Sequence, residues 1–453
     1  MAQAPVVVLG GGLAGVATAY ALARAGNTDV TIVERGDQLG GLAGSFERDG
    51  HVYPLGYHHI LHRDQTLLYF LDLIGALPAV RWRKIRMLFR VDGRLFDLGT
   101  PRDFLQFPMS LADKARFARL MLYAFRKRDW SDWEDRTAAD LVDTWAGPGV
   151  REAIFEPLCR LKFELPSAEV SGAWLGARLH FREGSAPLGY IPHTNWTKVL
   201  CDGVTRLVTD AGVRIRTGAE ISAVATAGDR VTAVELAGGE RIEGAVFVSA
   251  IPTETYLRFV PRDETPELAK IRFTALISTV CATRQRVEPD FYWMNLASRG
   301  HTACGIFLLS SLNPTIGGPG ESCVNFVTHL HDRGRPLFRA SDDELLGRYH
   351  DDYRVVFGTP LDAFWTNITR VPMYSPVLGR SFRNPPIAST TFRNVYFAGN
   401  WRTFPSVVST GTALRSGLDA AATILAADGR QTDLPAAVAA FTLRGMQRPA
   451  PHE

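Results

Sequence analysis

Gly10, Gly12 and Gly15 fall in the spacing GxGxxG between an apolar run, VVVL, and a stretch of small and apolar residues, LAGVATAYALARAG. Each glycine answers a need of diphosphate binding. Gly10 permits a tight turn, Gly12 lets backbone approach a pyrophosphate, and Gly15 lets a helix lie close on the strand before it. A helix opening at Leu13 and Ala14 would aim unpaired N–H groups and the positive end of its dipole at the phosphates. Glu34 ends the next apolar run, TIVE, followed by Arg35. Its carboxylate can accept both hydroxyls of an adenosine ribose and would repel a 2′-phosphate. Residues 5 to 23 carry no charge and are long enough to span a bilayer, but glycines at turn spacing make them a strand, a turn and a helix.

A second glycine pair, Gly40 and Gly41 with Leu42 in QLGGLAGSF, follows soon after Glu34. A nicotinamide dehydrogenase has no obvious use for it. Here the chain resembles the flavoprotein superfamily of amine oxidases, protoporphyrinogen oxidases and phytoene desaturases, in which this motif touches the FAD diphosphate. The likeness returns in NVYFAGNWRTFPSVVSTGTALRSGLDAA, residues 394 to 421. The resemblance implies non-covalent FAD, with Gly399 and Asn400 at the ribityl and phosphate groups. It also implies that Thr412, Ala413 and Leu414 open a helix beside the flavin pyrimidine, where a helix amino terminus favours negative charge on N1 and the C2 carbonyl. Many relatives carry an acid in place of Asn400 and glycine in place of Thr412. Residues 211 to 252 alternate as a β-meander, and the resemblance brings backbone near Ile221 to the adenine. It runs through nearly the whole chain. The implied fold is α/β, a two-domain flavoprotein with a Rossmann-like FAD domain (1–62, 186–255 and 385–428), a mixed α+β substrate domain (63–185 and 256–384), and a tail, 429–453.

Gly56-Tyr57-His58-His59 lies where the superfamily returns toward the flavin. His58 or His59 there can hydrogen-bond the flavin or move a proton; the alternative is a loop histidine satisfying backbone groups. His58 and His62 are spaced i, i+4, but the intervening HIL lacks the glutamate of HExxH, and no metal is expected. Arg370 and Tyr374 in TRVPMYSPV, Trp293 in FYWMNLA and Trp401 in GNWRTF are candidates for the substrate pocket, with core packing as their alternative. Familiar amine oxidases place a lysine on a roof strand. The matching strand here, LISTVCATR, has none, with Ser278 near the position, and Phe404-Pro405-Ser406 replaces the aromatic cage. YIPHTNWTK, residues 190 to 198, replaces the Gly-Gly frequent in desaturases. The expected reaction is hydride transfer from a carbon of an apolar or bulky organic substrate to flavin N5, with dioxygen or a quinone-like acceptor reoxidising the flavin. Two alternatives stand beside it. One is a redox-neutral reaction on a sugar nucleotide or glycan precursor, because the order of YPLGYHHILHRDQ and LFRVDGRLFDL is similar to UDP-galactopyranose mutase. Arg178 and Arg182 would then be diphosphate candidates. The other is flavin amine oxidation.

The elements that must position these residues follow from pattern and composition. Of 453 residues 46% are apolar and 21% charged, the balance of a globular enzyme, and the net charge of +3 is too small to argue for nucleic acid. Five scattered cysteines without a CxxC pair suit reduced thiols in the cytoplasm, and MAQAP lacks the basic start of a signal peptide. Residues 63 to 185 read as mostly helical with a hairpin at Asp92-Gly93, and 271 to 330 as strands of an antiparallel roof, turning at Gly317-Gly318-Pro319-Gly320. Within 113–128, Phe117, Leu120, Met121, Ala124 and Phe125 share a helical face flanked by Lys114, Arg116, Arg119 and Arg126 to Arg128. That face suits peripheral contact with a membrane or, alternatively, packing on its own domain.

Overall fold

Val6–Leu9, Val30–Val33, Val246–Ser249 and Val395–Phe397 are short β-branched and aromatic runs, the composition of strands covered on both faces. The computed structural model, which describes residues 4–181, 187–297 and 300–441, aligns them in a five-stranded parallel sheet with Arg214–Arg216 at one edge. Alternation divides the opening strand: Val6 and Val8 face a helical layer, Val7 and Leu9 the opposite core. The helical layer holds Leu13–Arg24, Trp196–Asp210 and Thr410–Ala427. Close packing at its start depends on Gly15, where a Cβ would overlap the Gly10 carbonyl oxygen. The opposite face is covered by the expected meander, Ile221–Ala227, Arg230–Leu236 and Arg241–Glu243.

Leu67, Leu68, Phe70 and Leu71 of the helix Gln65–Leu73 are buried in the same core as the opening and closing helices. The chain from 65 to Val80 therefore packs on the parallel-sheet layer.

The second sheet has seven strands in the order Ala363–Pro376, Phe273–Thr283, Ser322–Leu330, Gly305–Leu308, Trp293–Leu296, Met87–Val91 and Arg94–Asp97. It is mixed and not antiparallel throughout, because Trp293–Leu296 runs parallel to Met87–Val91. The run expected as one strand, TACGIFLLSSL, bends into a helical turn at Leu309–Leu312. A short apolar run fits either conformation. Asp92 and Gly93 both adopt positive φ, as a two-residue hairpin requires.

Helices from Pro101 to Phe181 form a third layer. In Leu111–Arg126, Leu120 and Ala124 are buried and Phe117 packs beside them, but Phe125 is 60% exposed with the Arg63 guanidinium over its ring. The face expected at a membrane is thus largely packed on its own domain. No described helix is long and apolar enough to cross a membrane. Arg182 and residues 442–453 of the tail lie outside the described residues.

Candidate active site

One cavity of about 1020 Å³ runs from the glycine turns to the seven-stranded sheet. At its first end, Gly12 caps the helix Leu13–Arg24 with extended backbone; no side chain supplies a cap, and the first turn holds no acid. The N–H groups at Leu13 and Ala14 thus begin a helix whose positive end faces the cavity. A Cβ on Gly12 would meet no atom within 4 Å, so the missing side chain leaves open space along the backbone. Gly40 bridges to Gly12 and donates its N–H to the Gly11 carbonyl at 2.9 Å. Its φ of +123° and the Cys201 thiol against it admit only glycine. The half-buried Glu34 carboxylate is oriented by the Gly11 N–H at 2.7 Å and the Gly36 N–H at 2.8 Å, with lone pairs to spare. Gly10, Gly41, Ile221 and Gly399 also line this end, with Arg35 and Leu42 exposed on its rim. A backbone cradle beside an oriented acid fits a diphosphate and a ribose. Gly15 lies beneath the cradle and is not part of the wall.

At the other end the loop Gly56-Tyr57-His58-His59 meets the seven-stranded sheet. The Tyr57 ring stacks on Phe307 at 3.9 Å, and Trp293 adds a third ring, its centroid 5.8 Å from that of Tyr57. His58 Nδ1 lies 3.2 Å from the Gly56 carbonyl, and burial pushes its pKa below the ordinary value, so it is neutral near pH 7. His59 Nδ1 is 3.1 Å from the Tyr292 hydroxyl. Tyr374, on the edge strand, shares a hydrogen bond with Tyr57, and burial raises both phenols. Asn400 Nδ2 donates to the Tyr374 carbonyl at 3.0 Å, tying the loop at Gly399 to that strand.

Lys162 and Arg178 enter this same chamber from two helices, Glu156–Phe163 and Gly172–Phe181. The Lys162 ammonium lies 5.0 Å from the Tyr374 ring centroid and the Arg178 guanidinium 5.7 Å from that of Trp174. Burial, then the neighbouring Arg178, lowers the lysine to about 7. Beside them the His329 imidazole is held neutral by burial, and its Nδ1 has no hydrogen-bond partner among the described residues. Burial pushes the Cys304 thiol up to about 12, which keeps it protonated.

Residues 13–425 match the model of the flavin containing amine oxidoreductase family. The chain belongs to that family. Among its relatives, coproporphyrinogen III oxidase of Mycobacterium tuberculosis is 26% identical over 82% of this chain and 87% of its own. A structure provisionally named protoporphyrinogen oxidase, from Exiguobacterium sp. 255-15, shares the fold with a TM-score of 0.74 at 17% identity, covering 94% of this chain and 99% of that one. Reduced UDP-galactopyranose mutase gives 0.71 at 14% identity, covering 94% and 96%. The protein is accordingly a flavin-dependent oxidoreductase with a two-domain α/β flavoprotein fold.

Other expected residues are tied into the fold as well. Arg370 reaches the cavity, but its guanidinium is held by Asp342 at 2.7 Å and the Ala340 carbonyl at 2.8 Å. Trp401 also borders the cavity, is 2% exposed, and donates its indole N–H to the Ile251 carbonyl at 3.2 Å. The closing helix begins at Thr410, earlier than expected. Thr412 forms a capping box with Ser409, Leu414 is buried, and Ser409, Thr410 and Ala413 line the cavity. The positive end of that helix is not bare. The buried Asp64 carboxyl accepts from the Ser409 hydroxyl at 3.1 Å and from the Gly411 N–H, while also capping Gln65–Leu73 through the Leu67 N–H at 3.2 Å. Residues 58–62 are not helical, so His58 and His62 share no helical face; His62 stacks on Trp82 at 3.8 Å, and no group of possible metal ligands occurs among the described residues. Ser278 on the roof strand is buried, accepting from Asn325 Nδ2 at 2.8 Å.

Sequence reasoning missed Lys162 and Asp64. Lys162 lies seven positions after the buried Phe155 and three after the buried Cys159, so helical spacing puts it on the inward face of Glu156–Phe163. A lysine on the same helical face as Phe155, Cys159 and Phe163 is the signal that could have drawn attention to it.

Proposed function

We propose that the protein binds FAD without a covalent link and oxidises a bulky, largely apolar organic molecule by removing hydride from one of its carbons. The observation that carries this reading is the single cavity joining the diphosphate and ribose cradle to an aromatic-walled chamber. Its size is at the upper end of small-molecule sites. The bound cofactor supplies a two-electron acceptor that dioxygen or a quinone-like compound then reoxidises. Gly12 and the first helical turn hold the diphosphate, Glu34 the ribose, Ile221 the adenine side, and Gly399 and Asn400 the middle of the cofactor. Tyr57, Phe307 and Trp293 offer flat apolar surface to the substrate. His58, His59 and Tyr374 are neutral or hydrogen-bonded groups at the chamber, able to orient a substrate or relay a proton. The Mycobacterium tuberculosis relative, named for coproporphyrinogen III, is in keeping with a bulky substrate.

A redox-neutral reaction on a sugar nucleotide is the second reading, favoured by the cationic pair Lys162 and Arg178. Flavin amine oxidation has less support, since Ser278 and not lysine faces Gly56 from the roof strand. Anaerobic mixing with candidate substrates separates the first two. Loss of the flavin's visible absorbance on adding an apolar substrate supports the oxidoreductase. Turnover of a sugar nucleotide by the chemically reduced protein alone, with no substrate reducing the flavin, would replace it. The double variant Gly12→Ala, Glu34→Ala is expected to be purified without FAD; full occupancy would refute the cradle.

A further inference from the structure

We propose that Lys162 and Arg178 form a subsite for a carboxylate carried by the substrate. The inference rests on reading the cavity as the substrate chamber of a flavin enzyme, and it names what that chamber recognises.

Two cations project into one chamber, and neither has an ion-pair partner among the described residues. Both are half-buried in the cavity wall, and charges drawn out of bulk water in folded proteins are generally paired or bound to something. The carboxylates on the cavity wall are Glu34, Asp37, Asp64 and Glu220. Glu34 is held at the glycine turns and Asp64 at two helix starts; Asp37 and Glu220 flank the cradle. None neutralises the pair. Arg178 sees only Tyr57, Tyr374 and Cys159 as titratable groups of opposite sign, all protonated near pH 7. The missing negative charge is one that a ligand would bring.

The amount of charge points to a carboxylate. Arg178 is permanently cationic, and Lys162 titrates near neutrality, so the pair carries between one and two positive charges. Every other titratable group facing Lys162 is uncharged: Tyr374 on the edge strand, His329 on Ser322–Leu330, Cys304 ahead of Gly305–Leu308, and Tyr57 in the loop. On its own helix, Cys159 is protonated, Arg160 pairs with Glu156, and Glu156 also caps Ser167. Glu164, which ends the helix, is engaged by Arg335 and the His331 N–H. One carboxylate is matched by a guanidinium fork and a single ammonium. A diphosphate would call for more donors than this aromatic chamber presents.

Occupancy of the site changes the charge of Lys162. A carboxylate beside the ammonium favours its protonated form, so binding above pH 7 takes up a proton from solvent. Affinity should then fall by about tenfold per pH unit above the free lysine's pKa.

The test is calorimetric titration of the flavin-loaded protein with 1-naphthoate, its neutral counterpart 1-naphthamide, and inorganic pyrophosphate, in buffers of different ionisation enthalpy at pH 6 to 9. Naphthoate is expected to bind at least about tenfold more tightly than naphthamide at pH 6, and to weaken toward pH 9 with proton uptake. Lys162→Arg should keep the preference and lose the proton uptake, and Lys162→Met should lose both. Arg178→Met should weaken naphthoate without removing the pH dependence. Equal binding of naphthoate and naphthamide, or proton uptake that persists in Lys162→Met, would overturn the proposal. So would pyrophosphate binding more tightly than naphthoate through the same two residues. A protein that carries no flavin yet binds naphthoate with Lys162-dependent proton uptake would remove the flavin reading and leave the subsite standing.

Discussion

Asp64 sits where two helices begin. Its carboxyl accepts from Leu67, Ser409 and Gly411, yet burial outweighs these bonds and raises its pKa above the ordinary carboxylate range. A folded pKa above the unfolded one means that the native state binds the extra proton. The stability it contributes is complete below the unfolded pKa, about 3.9, and is lost as pH rises through the folded value. Asp64→Asn removes this titration while keeping an acceptor oxygen. Thermal melts from pH 4 to 8 should show the variant gaining on the wild type as pH rises, then levelling; a constant offset would mean that Asp64 does not titrate in this way. The residue also shows what a sequence can disclose. Gly10, Gly12 and Glu34 are legible because each serves a need met within a few dozen residues. Asp64 meets Ser409 across 345 positions, and the strands that enclose Lys162 follow much later, so the local sequence marks the first only as a helix cap and the second only as a cation on an inward helical face.

The helix Leu111–Arg126 carries two apolar stripes. Phe117, Leu120 and Ala124 make one, and Leu111, Ala115, Ala118, Leu122 and Phe125 make another at spacings of four and three. A helical pattern alone cannot choose between them. In the fold the first stripe packs on Gly172–Phe181, while Leu111, Leu122 and Phe125 are 75%, 50% and 60% exposed. Leu120→Ala should therefore cost about 2–5 kcal/mol in urea unfolding, as a buried leucine does. Leu122→Lys should stay within about 0.5 kcal/mol of the wild type. Comparable losses in both would reverse the orientation of the helix. The same ambiguity explains the roof. Alternation correctly marks the strands around Phe273–Thr283 and Ser322–Leu330, but strand direction depends on which neighbour arrives, and the hairpin Met87–Asp97 comes from far upstream to pair in parallel with Trp293–Leu296.

At the scale of the whole molecule, the cavity draws its walls from all three layers: Gly12 and Glu34 from the parallel-sheet layer, Trp293 and Tyr374 from the seven-stranded sheet, and Lys162 and Arg178 from the helical layer. A ligand filling it would bind the folded arrangement and not the unfolded chain, and would stabilise the fold by about 2.7 kcal/mol at a hundredfold excess over Kd. Protein stripped of flavin in chaotrope should melt several degrees lower than the loaded form and recover with added FAD. FMN offers the isoalloxazine and one phosphate but no adenosine for Glu34 and Ile221 to meet. It should restore much less of the melting temperature than FAD at equal concentration, and Glu34→Ala should narrow the gap between the two. If FMN restores as much as FAD, the ribose and adenine end of the cavity serves no such purpose, and the cofactor is a flavin of another kind.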